Sequence, residues 1–592
     1  MNKQNGDILN ELLKEPFQNQ RILAENAGYS LGVINRSLKN LIREGYLNDN
    51  MGFTEKAKTE FYKNAPQNAI ILAAGFGMRM VPINMEIPKG LLEINNEPLI
   101  ERTIRQLHEV GVQKIYIVVG FMKERYEYLI DMYGVELIVN EEYETKNNLH
   151  SLKHAAVYLS NSYIIPCDIW CEENPYRQYE PYSWYMVSSQ MIKGTGVRVN
   201  RKSELVRIPE EQDGNMMIGI SYVAGKQAAI LREQIEVFCR NSRYDGAFWE
   251  EILYHKERMI VLAKVVQAEK VAEINTYEQL RELDCDSSQL DSDIIKVICL
   301  ALGVETDEVK DISVLKKGMT NRSFFFSCKG KKYIMRIPGA GTEQLINRKQ
   351  EAAVYNAIRQ CHLCDEIVYI NPSNGYKITE FLENARVCDP LCEEDVQKCM
   401  KILQKFHEQK LFVEHEFDIF GQIEFYENLW NGSSSIYRDY QETKREVLKL
   451  KKYIDVYAEK KVLTHIDAVP DNFLFVQRDG YEDIRLIDWE YAGMQDPHVD
   501  VAMFAIYSLY SRQQVDDLIS AYFPKGCSRT TRIKIYCYIS VCGLLWSNWC
   551  EYKRQLGIDF GEYSLRQYRF AKDYYRLVQE EIKKGGSYEC TE

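Results

Sequence analysis

The chain has 592 residues, a net charge of -12 and 45% hydrophobic residues. At roughly 100–200 residues per domain, that length holds about three to five units, with enough apolar residue to bury real cores. The acidic balance excludes a global basic footprint for nucleic acid, so any such contact is local. The 16 cysteines are scattered, and the start, MNKQNGDILNELL, lacks the basic segment and apolar run of a signal peptide. The longest apolar stretch, IYCYISVCGLLW, is shorter than the roughly 20 residues of a membrane span. A cytoplasmic protein with reduced thiols is expected. Cys361 and Cys364 form a CxxC, with Cys388 and Cys392 beyond. Their return spacing fits no common zinc pattern, so ordinary thiols are expected there.

Residues 1–66 read as three helical segments and a hairpin. A short helix ends near Ala27-Gly28-Tyr29, where Gly28 allows a tight turn, and Ser30 can cap the next helix. In that helix Val33, Leu38 and Leu41 form an apolar face, while Arg36, Lys39 and Arg43 point elsewhere. The segment NDNMGFTEKAKTEF supplies a small wing and a closing helix. The whole resembles the winged helix-turn-helix of bacterial regulators. Two roles compete: DNA binding with helix 30–44 in the major groove, and protein interaction. The near balance of basic and acidic residues in this segment is poor for phosphate contacts.

Past Ala65-Pro66-Gln67 the character changes. AIILAAG (69–75), IYIVVG (115–120), LIVN (137–140) and YIIPCD (163–168) are buried-strand runs separated by helical segments, which predicts a Rossmann-like parallel α/β sheet over 67–285. The first strand runs straight into Ala73-Ala74-Gly75-Phe76-Gly77-Met78-Arg79, and Lys89 follows Pro88. Glycines let backbone N–H groups approach a triphosphate, and Arg79 and Lys89 can neutralise charge at the α-phosphorus and on leaving pyrophosphate. The segment resembles the signature of sugar-nucleotide and phosphocholine nucleotidyltransferases, and TKNNLHSL (145–152) resembles the bacterial phosphocholine cytidylyltransferases. That resemblance implies a metal held by Asp168, at the end of YIIPCD, and by Asn275, in AEINTYEQL. It also implies CTP and phosphocholine as substrates. A quaternary ammonium favours aromatic faces with a nearby carboxylate, and Trp184, Tyr185, Trp249, Glu250 and Asp245 are the candidates.

The polar stretch CDSSQLDSD (285–293) reads as a linker, and residues 286–592 as a strand-rich lobe to about Leu382 followed by a helix-rich one. LTHIDAVPDNFLF (463–475) and IRLIDWEYAGMQDPHVDVA (484–502) carry His465-x-Asp467-x4-Asn472 and then Asp488. This is the pattern of kinase-like phosphotransferases: Asp467 accepts the proton of an alcohol, with His465 in the same catalytic loop, while Asn472 and Asp488 hold Mg2+ on the nucleotide phosphates. KGMTNRSFFF (317–326), with Asn321, resembles the phosphate-covering hairpin. KYIMRIPG places Arg336 where protein kinases carry Lys, and Glu351 can pair with it. ITEFLEN (378–384), with Glu380, resembles the hinge that meets adenine. HRD and DFG are absent, which disfavours a protein kinase. IDWEYAG with HxDxxxxN resembles the choline/ethanolamine kinase family, an α+β two-lobed fold. Downstream, Trp546 and Trp549 lie three apart on a helix, where the matching family segment contributes aromatic walls to the choline pocket.

The resemblances together imply choline plus ATP giving phosphocholine, then phosphocholine plus CTP giving CDP-choline and pyrophosphate. The competing expectations keep both folds but change the substrate to ethanolamine, another amino alcohol or a sugar, or make the chain a DNA-binding regulator that senses choline or nucleotide.

Overall fold

A computed structural model describes residues 2–315, 321–339, 345–478, 481–556, 558 and 560–584. The chain forms two compact units, Met1–Val314 and Leu315–Glu592.

The first unit opens with helices α1 (Lys3–Lys14), α2 (Gln20–Ala27), α3 (Leu31–Arg43) and α4 (Glu55–Lys63). Asn19 caps α2 by accepting from the Arg21 and Ile22 amides, and Gly28 ends it in the left-handed region at φ 66°. Ser30 takes the N-cap position of α3 without a side-chain cap bond. Ile34, Leu38 and Leu41 turn inward; Val33, one position off that stripe, is only half-buried. Leu47 and Phe53 bridge a short wing. Arg36, Lys39 and Arg43 are exposed.

This module is not loosely appended. Asp7 of α1 accepts hydrogen bonds from the hydroxyls of Tyr29, within the module, and Tyr182, outside it. Charge-assisted bonds of this kind contribute about 1.5–3 kcal/mol each. The Tyr179 ring lies 5.5 Å from that of Phe61. Pro181 packs so closely on Gly6 that a Cβ there would meet it at 2.9 Å. Asn161 donates to the carbonyls of Lys63 and Ala65.

The sheet that follows is centred on Asn68–Ala73, buried along its whole length. Ala69, Ile71 and Ala73 pack with Ile100, Ile104 and Leu107. Ile70 and Leu72, on the opposite face, pack with Leu149 and Leu152. Burial on both faces is why the run reads as continuously apolar. Lys114–Val119 and Ser162–Pro166 flank this strand in parallel, and Glu136–Val139 extends that side. These four strands are the expected parallel sheet, and beyond them the sheet becomes mixed. Asp213–Val223 enters antiparallel to both Ser162–Pro166 and Trp184–Lys193, and Arg258–Val266 then runs parallel to Trp184–Lys193. The sheet is mixed because its second half is built from long returning strands rather than strand–helix crossovers. Residues 286–314, read from sequence as the opening of the last domain, lie in the first unit as the helix Asp293–Leu302 and the strand Lys310–Val314.

In the second unit Asn321–Cys328, Lys331–Pro338, Lys377–Glu380 and Ile367–Ile370 form consecutive antiparallel neighbours, with the helix Arg348–Ile358 following the second of them. The hairpin Phe473–Arg478 with Tyr481–Leu486 has Asn472 just before its first strand and Asp488 just after its second. The helix Arg529–Gln555 runs 27 residues through the centre of the helical core. Among the described residues, no helix is long and apolar enough to cross a membrane.

Candidate active sites

The strand Asn68–Ala73 delivers the glycine turn to a cavity of about 1190 Å³. Ala74, Gly75 and Gly77 line it, whereas Ala73 points into the core on the other face of the strand. Gly77 is left-handed at φ 59°, and a Cβ there would come to 3.4 Å from that of Lys89. Arg79, Lys89, Asp168 and Asn275 converge at one wall. The Lys89 ammonium donates to Asp168 and, at 2.8 Å, to Asn275 Oδ1. Arg79 donates to the same amide oxygen at 3.0 Å. The Ile274 amide bonds the Asp168 carbonyl at 3.0 Å, which seats residues 273–275 against the strand end carrying Asp168. Glu273, which motif reading passed over, joins this wall. Burial first, then the Asp168 charge, raise its carboxyl above the usual range.

The aromatic candidates divide. Trp184 and Tyr185 are neighbours on one strand and so face opposite sides. Tyr185 lines the cavity and donates to Glu250 at 3.1 Å. Trp184 is corrected to a core residue, fully buried with the Lys264 ammonium 4.0 Å over its ring. Trp249 is likewise corrected: it is wholly buried in the second core, its amide held by Asn148 Oδ1 at 2.8 Å. Asp245 stands off the lining, 3.3 Å from His150. Tyr244, Phe248 and Tyr254 line the cavity instead. Burial pushes the Glu250 carboxyl up to about 7, and its Oε2 has no hydrogen-bond partner.

The second unit holds a cavity of about 530 Å³ that gathers Asp467, Asn472, Asp488, Arg336, Trp546 and Trp549. Asn472 Nδ2 donates to the Asp467 carbonyl at 2.9 Å and to its carboxylate at 3.2 Å, fixing the loop. Burial, then Asp488 and Glu490, raise the Asp467 carboxyl to about 8. Arg336 makes a fork to Glu351 at 2.5 and 2.9 Å. Arg348 donates to Glu351 at 2.9 Å and to Glu490 at 3.3 Å. Burial opposes ionisation of Glu351, but these guanidiniums hold its carboxyl down at about 2.

The structure does not bring His465 to the cavity. It is wholly buried, off the cavity, with Nε2 at 2.9 Å from the Ile487 carbonyl. Burial lowers its pKa, so the ring is neutral. Asp500, unassigned from sequence, clamps the same loop: it accepts from the amides of His465 at 3.0 Å and Ile466 at 2.7 Å, and contacts His407 Nε2 at 3.0 Å. Ile466 needs that hold because its backbone is left-handed at φ 71°. The Glu380 side chain accepts from Lys331 at 2.9 Å and is not part of this lining, whereas the hinge reading concerned its backbone. The Asn321 side chain and residues 317–320 of the expected phosphate hairpin lie outside the described residues.

Tyr491, Tyr507, Phe560 and Tyr563 join the two tryptophans in a ring of aromatic faces. Tyr491 meets Trp546 edge-on at 5.9 Å, Trp546 meets Trp549 at 5.5 Å, and Trp549 meets Phe560 at 5.0 Å. Tyr491 directly follows the Asp488-Trp489-Glu490 run, and that adjacency to a metal-type loop was its available signal.

Three family profiles match the chain: winged helix-turn-helix DNA-binding over residues 1–48, MobA-like NTP transferase domain over 69–174, and choline/ethanolamine kinase over 312–519. A 2-aminoethylphosphonate cytidylyltransferase of Lancefieldella rimae is 30% identical over 225 residues, covering 37% of this chain and 92% of that protein. The chain belongs to the NTP transferases, joined to a choline/ethanolamine kinase domain. A choline-phosphate cytidylyltransferase of Streptococcus pneumoniae is 28% identical, covering 36% of this transferase–kinase and 96% of that protein. The crystal structure of choline kinase LicA from Streptococcus pneumoniae is 29% identical, covers 48% of this chain and 100% of that one, and superposes with a TM-score of 0.42. The protein is thus a kinase plus nucleotidyltransferase.

Both families imply a divalent cation. Among the described residues, no three His, Cys, Asp or Glu side chains are grouped to hold a metal unaided, and this includes the CxxC. The oxygen donors nevertheless fit Mg2+, which takes one or two carboxylates and completes its shell with phosphates and water. Asn472 and Asp488 would hold it in the kinase domain, and Asp168 and Asn275, with Glu273 beside them, in the transferase.

Proposed function

We propose that the transferase–kinase activates choline in two steps: ATP-dependent phosphorylation, then CMP transfer from CTP to phosphocholine, giving CDP-choline and pyrophosphate. The observation that carries this reading is the aromatic ring sharing one cavity with Asp467, Asn472 and Asp488. A trimethylammonium group binds aromatic faces by cation–π attraction at about 0.5–2 kcal/mol per contact. A primary ammonium needs hydrogen-bond acceptors, and three of the carboxylates lining this cavity already have donors of their own. Asp471 accepts from Tyr507 at 2.6 Å, Glu490 from Arg348 at 3.3 Å, and Asp467 from Asn472 at 3.2 Å.

In this reading Asp467 accepts the hydroxyl proton as the alcohol oxygen attacks the γ-phosphorus, and Arg336 lies beside the phosphates. In the transferase, a phosphate oxygen of phosphocholine is already a nucleophile, so positioning suffices. Arg79 and Lys89 take the charge developing at the α-phosphorus and on pyrophosphate. Mg2+, when bound, supplies Lewis-acid neutralisation of nucleotide phosphate at each site.

A second substrate reading, a 2-aminoethyl compound lacking the methyl groups, is favoured at the transferase alone by Glu250, whose unpartnered Oε2 a primary ammonium would satisfy. Incubation with ATP, CTP, Mg2+ and either choline or ethanolamine, with products read by mass, separates them. CDP-choline is expected, and phosphocholine alone when CTP is omitted. CDP-ethanolamine formed in preference would overturn the choline assignment.

We infer further that residues 1–66 contact DNA. The exposed Arg36 and Lys39 share a groove with Arg21 at the start of α2, and no carboxylate lines it. A duplex is expected to be retarded in a mobility shift, less so as salt rises. Equal retardation of an Arg36→Glu/Lys39→Glu variant would remove this reading.

A further inference from the structure

Two groups of residues divide the transferase cavity. The glycine turn, Arg79 and Lys89 suit the nucleotide phosphates. Tyr244, Phe248 and Glu250, all on the segment 244–250, line the cavity as well. Aromatic faces beside a carboxylate suit a cationic head. That segment is therefore the wall for the phosphate acceptor, a placement that rests on the transferase reading above. Its own side chains anchor it poorly. Phe248 is 61% exposed, Gly246 and Ala247 are small, and Trp249 is the residue sunk in the core.

The start of the helix Asn148–His154 holds the segment by its backbone. The Asn147 amide donates to the Asp245 carbonyl at 2.8 Å. Asn147 Nδ2 donates to the Gly246 carbonyl at 3.1 Å. Asn148 Oδ1 accepts from the Trp249 amide at 2.8 Å. These bonds bracket Ala247 and Phe248 on both sides. Both asparagines line the same cavity, yet Nδ2 of the first and Oδ1 of the second are aimed at backbone. A buried amide or carbonyl left without its partner is costly, so the segment keeps its place only while both side chains do.

We propose that Asn147 and Asn148 are positioning residues for CMP transfer. They hold residues 245–250 where Tyr244, Phe248 and Glu250 seat the acceptor's cationic head, and so set KM for the acceptor without touching CTP. The two side chains have opposite tasks, since Asn147 gives a hydrogen bond to the segment and Asn148 takes one. Replacement by Asp removes the donor and keeps the acceptor, which separates them.

The test uses the full chain with MgCTP and phosphocholine. It reads KM for each substrate, and hydrogen exchange of the backbone amides 244–254 by mass. Asn148→Leu, similar in size but without an acceptor, is expected to raise KM for phosphocholine roughly 10-fold and to speed exchange in that segment. KM for CTP is expected to stay within about twofold, which also reports that the domain is folded. Asn148→Asp keeps the bond to the Trp249 amide and is expected to bring KM for phosphocholine back to within about threefold of wild type. Asn147→Asp loses the bond to Gly246 and is expected to raise it by roughly fivefold. An unchanged phosphocholine KM in Asn148→Leu overturns the proposal. So does a CTP KM that rises as much, or an Asn148→Asp variant as impaired as Asn148→Leu, because the amide would then meet substrate directly. If Asn148→Leu does not fold, equal phosphocholine KM in the two Asp variants overturns it. Failure of the phosphocholine reading is a different result. A wild-type chain that transfers CMP to phosphoethanolamine or 2-aminoethylphosphonate and not to phosphocholine removes that reading, and the same split between acceptor and CTP then tests the two asparagines with that acceptor.

Discussion

Asp467→Ala is expected to lower choline phosphorylation by about 10²–10⁴, the usual contribution of a positioned general base. Cytidylyl transfer from supplied phosphocholine should stay near the wild-type rate. The separation follows from architecture, because Asp467 belongs to the second compact unit and the CTP-type cavity to the first. The loop should survive the change. Its backbone is held by Asp500 through the His465 and Ile466 amides, not by the Asp467 side chain. Asn472 would lose its 3.2 Å carboxylate contact but keep the 2.9 Å bond to the Asp467 carbonyl. Measured as initial rates with each substrate pair, a parallel fall of both activities in a folded variant would contradict independent sites.

Asp168→Ala is expected to do the reverse, cutting CMP transfer by about 10²–10³, the scale for losing one preorganised electrostatic partner. Asp168 both offers oxygen to a cation and holds the Lys89 ammonium that also reaches Asn275. Without it, Lys89 keeps a single neutral partner here, and the wall loses the geometry that meets the pyrophosphate. Choline phosphorylation should be untouched. Transfer from CTP that survives at more than about a tenth of the wild-type rate would remove Asp168 from the site.

Backbone-dictated features were legible in the sequence. AIILAAG could be read as a strand buried on both faces, and the glycines after it as a close phosphate approach, because few other residues satisfy those backbones. The HxDxxxxN spacing likewise located Asp467 and Asn472. What spacing could not convey is which way a side chain points. His465 and Asp467 share one loop, yet only Asp467 reaches the cavity. Trp184 drew attention by size, while its strand neighbour Tyr185 holds the cavity side. Asp500 had a signal that was not used: a lone carboxylate in the buried apolar run HVDVAMFAIY must be satisfied by something, and there it holds loop amides. Glu273 stands two residues from Asn275, at a spacing that in an extended chain puts both on one side. The mixed sheet escaped because long antiparallel returns, such as Asp213–Val223, carry no helix between strands to announce them.

Family boundaries divide this chain into three, but its packing divides it into two. The Tyr182 hydroxyl on Asp7 and the Tyr179 ring on Phe61 make the winged helix and the transferase co-owners of a hydrophobic seam. The head has an apolar core of its own, from Ile8 to Phe61, and Tyr179 packs against it from outside. Trimming it away would strip a tyrosine-rich surface bare, so its contribution is best dissected by single charges on α3 and not by truncation.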